Sequence, residues 1–254
     1  MKLRMLGCGT SSGVPRVGND WGDCDPADPR NRRRRVSILV EHEGTRILID
    51  TGPDLREQLL DAEVSDVDAV IWTHDHADHC HGIDDLRQLY HARGAPIRGY
   101  ARRQTLDTLL LRFAYAFEGK GEYPPVAEAE LLPDRLEIGG ITIRVVDQPH
   151  GSITSAGLRF DADGRSIVYS TDVNGLTAEM AALFQGTDLW IVDALRRRPH
   201  PSHAHLAEAL SWIDTVRPAR AILTHMDQSM DYATLRAELP DHVEPGYDGL
   251  EIAL

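Results

Sequence analysis

The stretch VIWTHDHADHCHG, Val70 to Gly82, sets four histidines and two aspartates directly after an apolar run. No other feature restricts the chain as much. Val70-Ile71-Trp72 reads as a buried strand, and the polar cluster begins where it ends. In an extended continuation His74, His76 and Asp78 point the same way, because side chains alternate with period two, and His79 turns in from the next residue. Groups delivered like this stand on the end of a rigid element, where a site is held accurately. With 12 histidines in 254 residues and about a tenth aspartate, His-x-His-x-Asp-His arises by chance in roughly one chain in four hundred. A metal site is therefore a stronger reading than a solvated polar loop.

Three isolated residues reinforce it, each just beyond an expected strand: His150 in VVDQPHGS, Asp172 in VYSTD and His225 in ILTHMD. Imidazole and carboxylate donors without thiolate suit Zn, Mn or Fe. A closed structural zinc site would be richer in cysteine. Two such ions about 3.5–4 Å apart can supply hydroxide at neutral pH and clamp the oxygens of a displaced group. Cys80, inside the same stretch, is expected to pack.

Short β-like runs recur along the chain: Lys2–Leu6, Val36–His42, Arg46–Asp50, Ala69–Trp72, Ile97–Tyr100, Ile141–Val146, Ala156–Phe160, Ser166–Ser170, Leu189–Val192, Ala219–Leu223 and Leu250–Ala253. Helical patterns fall between them at Pro53–Leu60, Ile83–His91, Arg103–Ala116, Thr177–Phe184, His205–Val216 and Tyr232–Leu239. Glu43-Gly44, Gly139-Gly140 and Asp163-Gly164 are hairpin signals, so antiparallel pairing is expected, with helices covering the outer faces. The irregular stretch from Cys8 to Arg35 is long enough to be functional. Without repeats or a linker, residues 1–254 read as a single domain.

A hydrophobic fraction of 42% supports a sizeable core, and no segment approaches the roughly 18 apolar residues of a membrane helix. Leu6-Gly7-Cys8 has no apolar run before it and reads as strand and turn, so a cytoplasmic location is expected. Three scattered cysteines fit a reducing compartment. A net charge of −13 argues against a nucleic-acid partner, since phosphate backbones require clustered Lys and Arg.

Taken together, His74-x-His76-x-Asp78-His79 followed by His150, Asp172 and His225 resembles the metallo-β-lactamase-fold hydrolases. The resemblance runs from ILIDTG (47–52) to YDGLEI (247–252). It implies an α+β fold, a four-layer αββα sandwich with two divalent metal ions at one edge. It also implies a division of ligands. His74, His76 and His150 hold one ion; Asp78, His79 and His225 hold the other; Asp172 bridges them and Asp50 gives support from behind.

Within that superfamily GCGTSSGVPRVG (7–18), DPRNRRRR (28–35), HPSHAHLAEAL (200–210) and AILTHMDQ (221–228) resemble the cyclic-phosphodiesterase branch. The resemblance implies a small phosphorylated substrate, a cyclic or nucleotide-like phosphodiester, with Asp78, Asp172 and His203 in the catalytic step and His203 protonating the leaving oxygen. His200 and His205 compete for that role. Members of the branch often carry a further zinc on a Cys-x-Cys-x-x-Cys cluster and a late histidine; GNDWGDC retains only Cys24 and the late position is Gln228, so that site is expected to be lost. Gly7–Gly18 reads as tight turns before it reads as a phosphate cradle. Arg30 with Arg32–Arg35, and Arg196–Arg198, read as solvated charge before substrate contacts. Rival readings are a tRNA 3′-processing nuclease, a thioester hydrolase, and a non-catalytic metal protein of the pyrroloquinoline quinone biosynthesis type. A homodimer is the default expectation for assembly.

Overall fold

The structure is a computed structural model describing residues 1–254. The first half runs β1 (Lys2–Gly7), β2 (Ser37–His42), β3 (Thr45–Ile49), α1 (Leu55–Asp61), β4 (Ala69–Trp72), α2 (Ala77–Cys80), α3 (Leu86–Arg93), β5 (Ile97–Ala101), α4 (Arg103–Arg112), α5 (Ala114–Glu118) and β6 (Ala127–Leu131). The second runs β7 (Arg135–Ile138), β8 (Ile141–His150), β9 (Ile153–Ala162), β10 (Arg165–Ser170), α6 (Ala178–Phe184), β11 (Leu189–Asp193), α7 (Leu206–Val216), β12 (Arg220–Thr224), α8 (Tyr232–Glu238), β13 (Val243–Pro245) and β14 (Glu251–Ala253).

The strands form two seven-stranded sheets, ordered β14-β1-β2-β3-β4-β5-β6 and β13-β12-β11-β10-β9-β8-β7. Alternation explains how each strand of the first sheet serves two layers. Ile47, Ile49, Ala69 and Ile71 point into a core of 45 buried residues drawn from both sheets. Their neighbours Leu48, Val70 and Trp72 point into a second core of 20, shared with α1, α3, α4 and α5. Met180 and Phe184 of α6, Trp212 and Ile213 of α7 and Leu235 of α8 cover the second sheet. This is the expected four-layer αββα sandwich.

The expectation of antiparallel sheet holds only in part, because both sheets are mixed. From β3 to β6 and from β10 to β13 the neighbours are parallel, since helices or long connections carry the chain back between them. Parallel strands bring their carboxyl ends to one edge, and ligand sites gather there in open α/β sheets. The helix expected over Arg103–Ala116 is broken at Phe113 (φ −123°, ψ 36°). Phe113 is buried, and its ring meets His81 edge-on at 5.6 Å. Burying that ring decides the break.

Candidate metal centre

All seven sequence-predicted ligands converge at one edge of the sandwich. The extended continuation of β4 carries only as far as His76; Asp78 and His79 lie on the single helical turn α2. Period-two alternation therefore does not aim Asp78, as the sequence suggested. The turn does, with the His79 N–H donating to the His76 carbonyl at 3.0 Å. Close backbone approach fixes its place: a Cβ on Gly52 would stand 2.3 Å from the Asp78 carbonyl oxygen, and one on Gly82 2.0 Å from that of Gly52. The Thr51 N–H donates to His79 O and the Gly82 N–H to Thr51 O, tying the β3 exit to the ligand turn.

The opposite wall comes from the second sheet. His150 is the last residue of β8, not a loop residue beyond it as expected. Asp172 follows β10 and His225 follows β12. Asp172 and His225 adopt left-handed backbone (φ +52° and +58°), as does Asp50 after β3 (φ +64°). Non-glycine residues held there cost about 1–3 kcal/mol each, and such strain gathers at functional sites.

The ligand atoms form two groups sharing Asp172: His74, His76, His150 and Asp172, and Asp78, His79, His225 and Asp172. Asp172 Oδ2 lies 3.6 Å from His74 Nε2 and 3.5 Å from His150 Nε2. Asp172 Oδ1 lies 3.1 Å from His79 Nε2 and 3.4 Å from His225 Nε2. One carboxylate thus faces both groups, an oxygen to each. Nε2 of His74 and of His79 are fully buried without a hydrogen-bond partner. Buried polar atoms are rarely left so, and orphaned imidazole nitrogens among carboxylate oxygens fit a divalent cation.

Behind the ligands, partners fix ring orientation, as second layers around metals do. Asp50 is 2.7 Å from His79 Nδ1 and also accepts from the Thr73 backbone and hydroxyl. The Ser202 carbonyl lies 2.7 Å from His150 Nδ1. Burial drives His74 well below the usual histidine range, with the charge of His79 adding to it. For Asp172 burial pushes upward, but His225, His79 and His74 overturn it and hold the carboxyl well below its usual range. Burial likewise opposes charge on His225, which Asp172 and Asp78 nevertheless raise to about 9. A proton on the His225 ring competes with a cation for the same nitrogen.

His203 sits over both groups. Its Nδ1 is 2.9 Å from Asp193 Oδ2 and its Nε2 3.8 Å from Asp172 Oδ2. The ring stacks on His225 at 4.6 Å and meets His150 edge-on at 4.8 Å. Of the competitors, His205 faces Glu208 at 3.2 Å; His200 packs against His203, ring centroids 5.1 Å apart, with its Nδ1 3.3 Å from the Ser202 nitrogen. Asp193 was missed in the sequence, although WIVDA puts it at a strand end much as VYSTD does Asp172.

Most of the other candidates are engaged in holding the fold, while Arg32 and Arg198 stay exposed. In the glycine-rich segment the Gly9, Thr10 and Val14 N–H groups donate to the Arg34, Met226 and Arg33 carbonyls, which commits those three to the fold. Arg30, Arg34 and Arg35 pair with Asp28, Asp61 with Asp248, and Asp54. Arg196 donates to the Arg198 and Pro199 carbonyls, and Arg197 pairs with Glu238. The Cys80 thiol, pushed up to about 11 by burial, donates to the His76 carbonyl. Cys24 lies 3.8 Å from the guanidinium of Arg33, which is 2% exposed. Arg33 donates to the Asp227 and Met230 carbonyls, joining the first loop to the segment after His225.

The sequence matches the family described as "Beta-lactamase superfamily domain" over residues 45–226. A solved structure described as a new diphosphatase from the PhnP family superposes with a TM-score of 0.91, at 33% identity over 99% of this chain and 96% of that one. A protein named octanoyltransferase from Porphyromonas gingivalis is 34% identical over 99% of this chain but only 51% of its own length. A ribonuclease Z from Methanopyrus kandleri is 32% identical over 49% of this chain and 43% of its own. The chain thus spans about half the length of the curated relatives it matches, or less. The family match covers the ligand turn, His150, Asp172 and His225, and the chain belongs to the metallo-β-lactamase superfamily.

Proposed function

We propose that the protein is a two-metal phosphodiesterase acting on a small phosphodiester. The carrying observation is His203, braced by Asp193 and aimed at the edge where Asp172 faces both groups. Two divalent ions bound there would supply Lewis acidity and a nucleophile at neutral pH. His74, His76, His150 and Asp172 would hold one, and Asp78, His79, His225 and Asp172 the other.

His203 carries the remaining task. Its Nε2 gives a proton to the departing oxygen, and Asp193 on Nδ1 fixes the ring and stabilises its charged form. An alkoxide is a poor leaving group and needs that proton; a departing phosphate needs it far less. The dyad therefore favours a phosphodiester over the diphosphate named for the PhnP-family relative.

The test is hydrolysis of alkyl phosphodiesters, including five-membered cyclic phosphates, beside bis(p-nitrophenyl) phosphate, a diphosphate, a thioester and precursor tRNA. Turnover of the small diesters by Mn- or Zn-loaded protein, abolished in Asp172→Ala, supports the reading. Turnover of only the diphosphate, the thioester or the tRNA overturns it.

A further inference from the structure

A cavity of about 200 Å³, lined by none of the seven donors, lies between α3 and the segment from α5 to β6. Tyr90, Tyr115 and Tyr123 line it, with Arg87 and Lys120 beside them. Tyr115 and Tyr123 stand 38% and 72% exposed, an unusual placement for rings that could have packed inward.

The wall is built, not loose. Lys120 and Tyr123 exchange backbone hydrogen bonds of 2.9 and 3.1 Å across Gly121-Glu122, which puts both side chains on one side of a tight turn. Gly119 allows the return: at φ +73° and ψ 178° it occupies a region closed to other residues, and a Cβ there would meet the Tyr123 carbonyl at 2.5 Å. The Val126 N–H then donates to Ala116 O at 2.8 Å, fastening the turn to α5.

Charge completes the picture. The chain carries a net −13, and most of its arginines meet a carboxylate. Arg87 and Lys120 have none within 4 Å, although Asp84 also lines the cavity. Aromatic faces with two unpaired cations at their rim match a flat ring bearing a negative group, by stacking and by charge-assisted hydrogen bonds.

We propose that this cavity is a second binding site, taking an aromatic monophosphate of the nucleoside or aryl type. Its lining shares no residue with the two donor groups, and it does not depend on the reaction assigned there.

The test is calorimetric titration of the full chain with adenosine 5′-monophosphate, carried out in metal-free Asp172→Asn so that the metal edge contributes no turnover and holds no ion for the phosphate. Saturable binding is expected, weakened at least about tenfold in Arg87→Ala/Lys120→Ala and again in Tyr115→Ala/Tyr123→Ala, a loss of roughly 1.4 kcal/mol for each pair. Adenosine and inorganic phosphate, offered singly, are expected to bind at least tenfold more weakly. All four positions lie at the surface, and diester hydrolysis by the two double variants with Asp172 restored is expected to match the parent, which reports an intact fold. No saturable binding, binding that survives the Arg87/Lys120 change, or phosphate binding as well as the nucleotide would each overturn the proposal.

Discussion

The two sheets furnish the metal edge in opposite ways. The first supplies His74, His76, Asp78 and His79 from six consecutive residues, their turn clamped by Asp50 and Gly52. The second supplies His150, Asp172 and His225 from the ends of three strands, and Asp193 from a fourth. A contiguous loop holds its donors by local geometry. Donors scattered over β8, β10 and β12 are aligned only if the whole sheet, and the loops that brace it, are in place. The first arrangement places errors locally, and the second makes the site depend on tertiary packing.

Asp172→Ala is the harshest test of the scattered half, because that carboxylate faces both donor groups. We expect a loss of hydrolysis beyond about 10⁴-fold, more than a single proton donor supplies. Metal content by atomic emission should fall with it. His76→Ala, in the contiguous half, should retain an ion in the second group, where His79 and Asp78 keep their places. Equal loss of both ions in the two variants would erase the contrast between the sheets.

Next comes His203→Ala, which should act through the leaving group. Alkyl diester hydrolysis is expected to fall about 10²–10⁴-fold, and that of p-nitrophenyl esters far less, because nitrophenolate leaves without a proton. A uniform loss across leaving groups would make His203 a positioning residue. Asp193→Asn should reproduce the leaving-group dependence at smaller amplitude, since the ring stays in place but loses its charged partner.

Asp50→Ala probes what clamps the contiguous half. The His79 ring would lose the carboxylate 2.7 Å from Nδ1. Removing such a support typically costs about 10–100-fold in metal affinity. Competition with a chelator would read it, and an unchanged affinity would show that backbone geometry alone aims His79.

The same contrast governs what the sequence disclosed. Contiguous donors announce themselves as a string, and the strand before them as an apolar run. His150, Asp172 and His225 could be picked out only by their common place at strand ends, and Asp193 escaped although it shares that place. The left-handed backbone at Asp50, Asp172 and His225 left no mark, because nothing in the residue types demands it. Missed strands have a common cause: β6 (AEAEL), β7 (RLEI) and β13 (VEP) are sheet edges. Edge strands carry charge or proline, which blunts pairing and hides them from a search for β-like residues. The break at Phe113 was invisible because helical spacing runs through it, and only the burial of the ring overrules it.

Bracing of the scattered half is open to smaller tests. Arg33→Met keeps bulk but withdraws the donors to the Asp227 and Met230 carbonyls, leaving the Met230 oxygen without a partner while Asp227 O still accepts from the Met230 N–H. A buried acceptor stranded in this way costs about 1–3 kcal/mol, and part returns because a buried cation is also removed. We expect a net loss of about 2 kcal/mol, or about 4–8 °C in Tm for a chain of this length. Metal affinity should weaken with it, since the segment being held begins at His225. A stability loss with unchanged metal affinity would separate the brace from the site.

The smallest effect is expected at Asp231, which joins the same two regions. Its carboxylate accepts from the Thr234 N–H and hydroxyl at the start of α8, and from the Asp25 N–H and the Asn31 side chain of the first loop. Burial pushes the group upward, but those hydrogen bonds outweigh it and bring it down to about 2. A folded-state value below the unfolded one of about 3.9 means that ionised Asp231 stabilises the fold. That contribution is complete above about pH 4 and fades as pH falls toward 2. Asp231→Asn should therefore lower stability by about 1 kcal/mol near neutrality, a typical cap contribution. The gap between the two proteins in denaturant titrations should close between pH 4 and pH 2. A gap that stays constant over that interval would mean that the geometry of the cap, not its charge, joins α8 to the first loop.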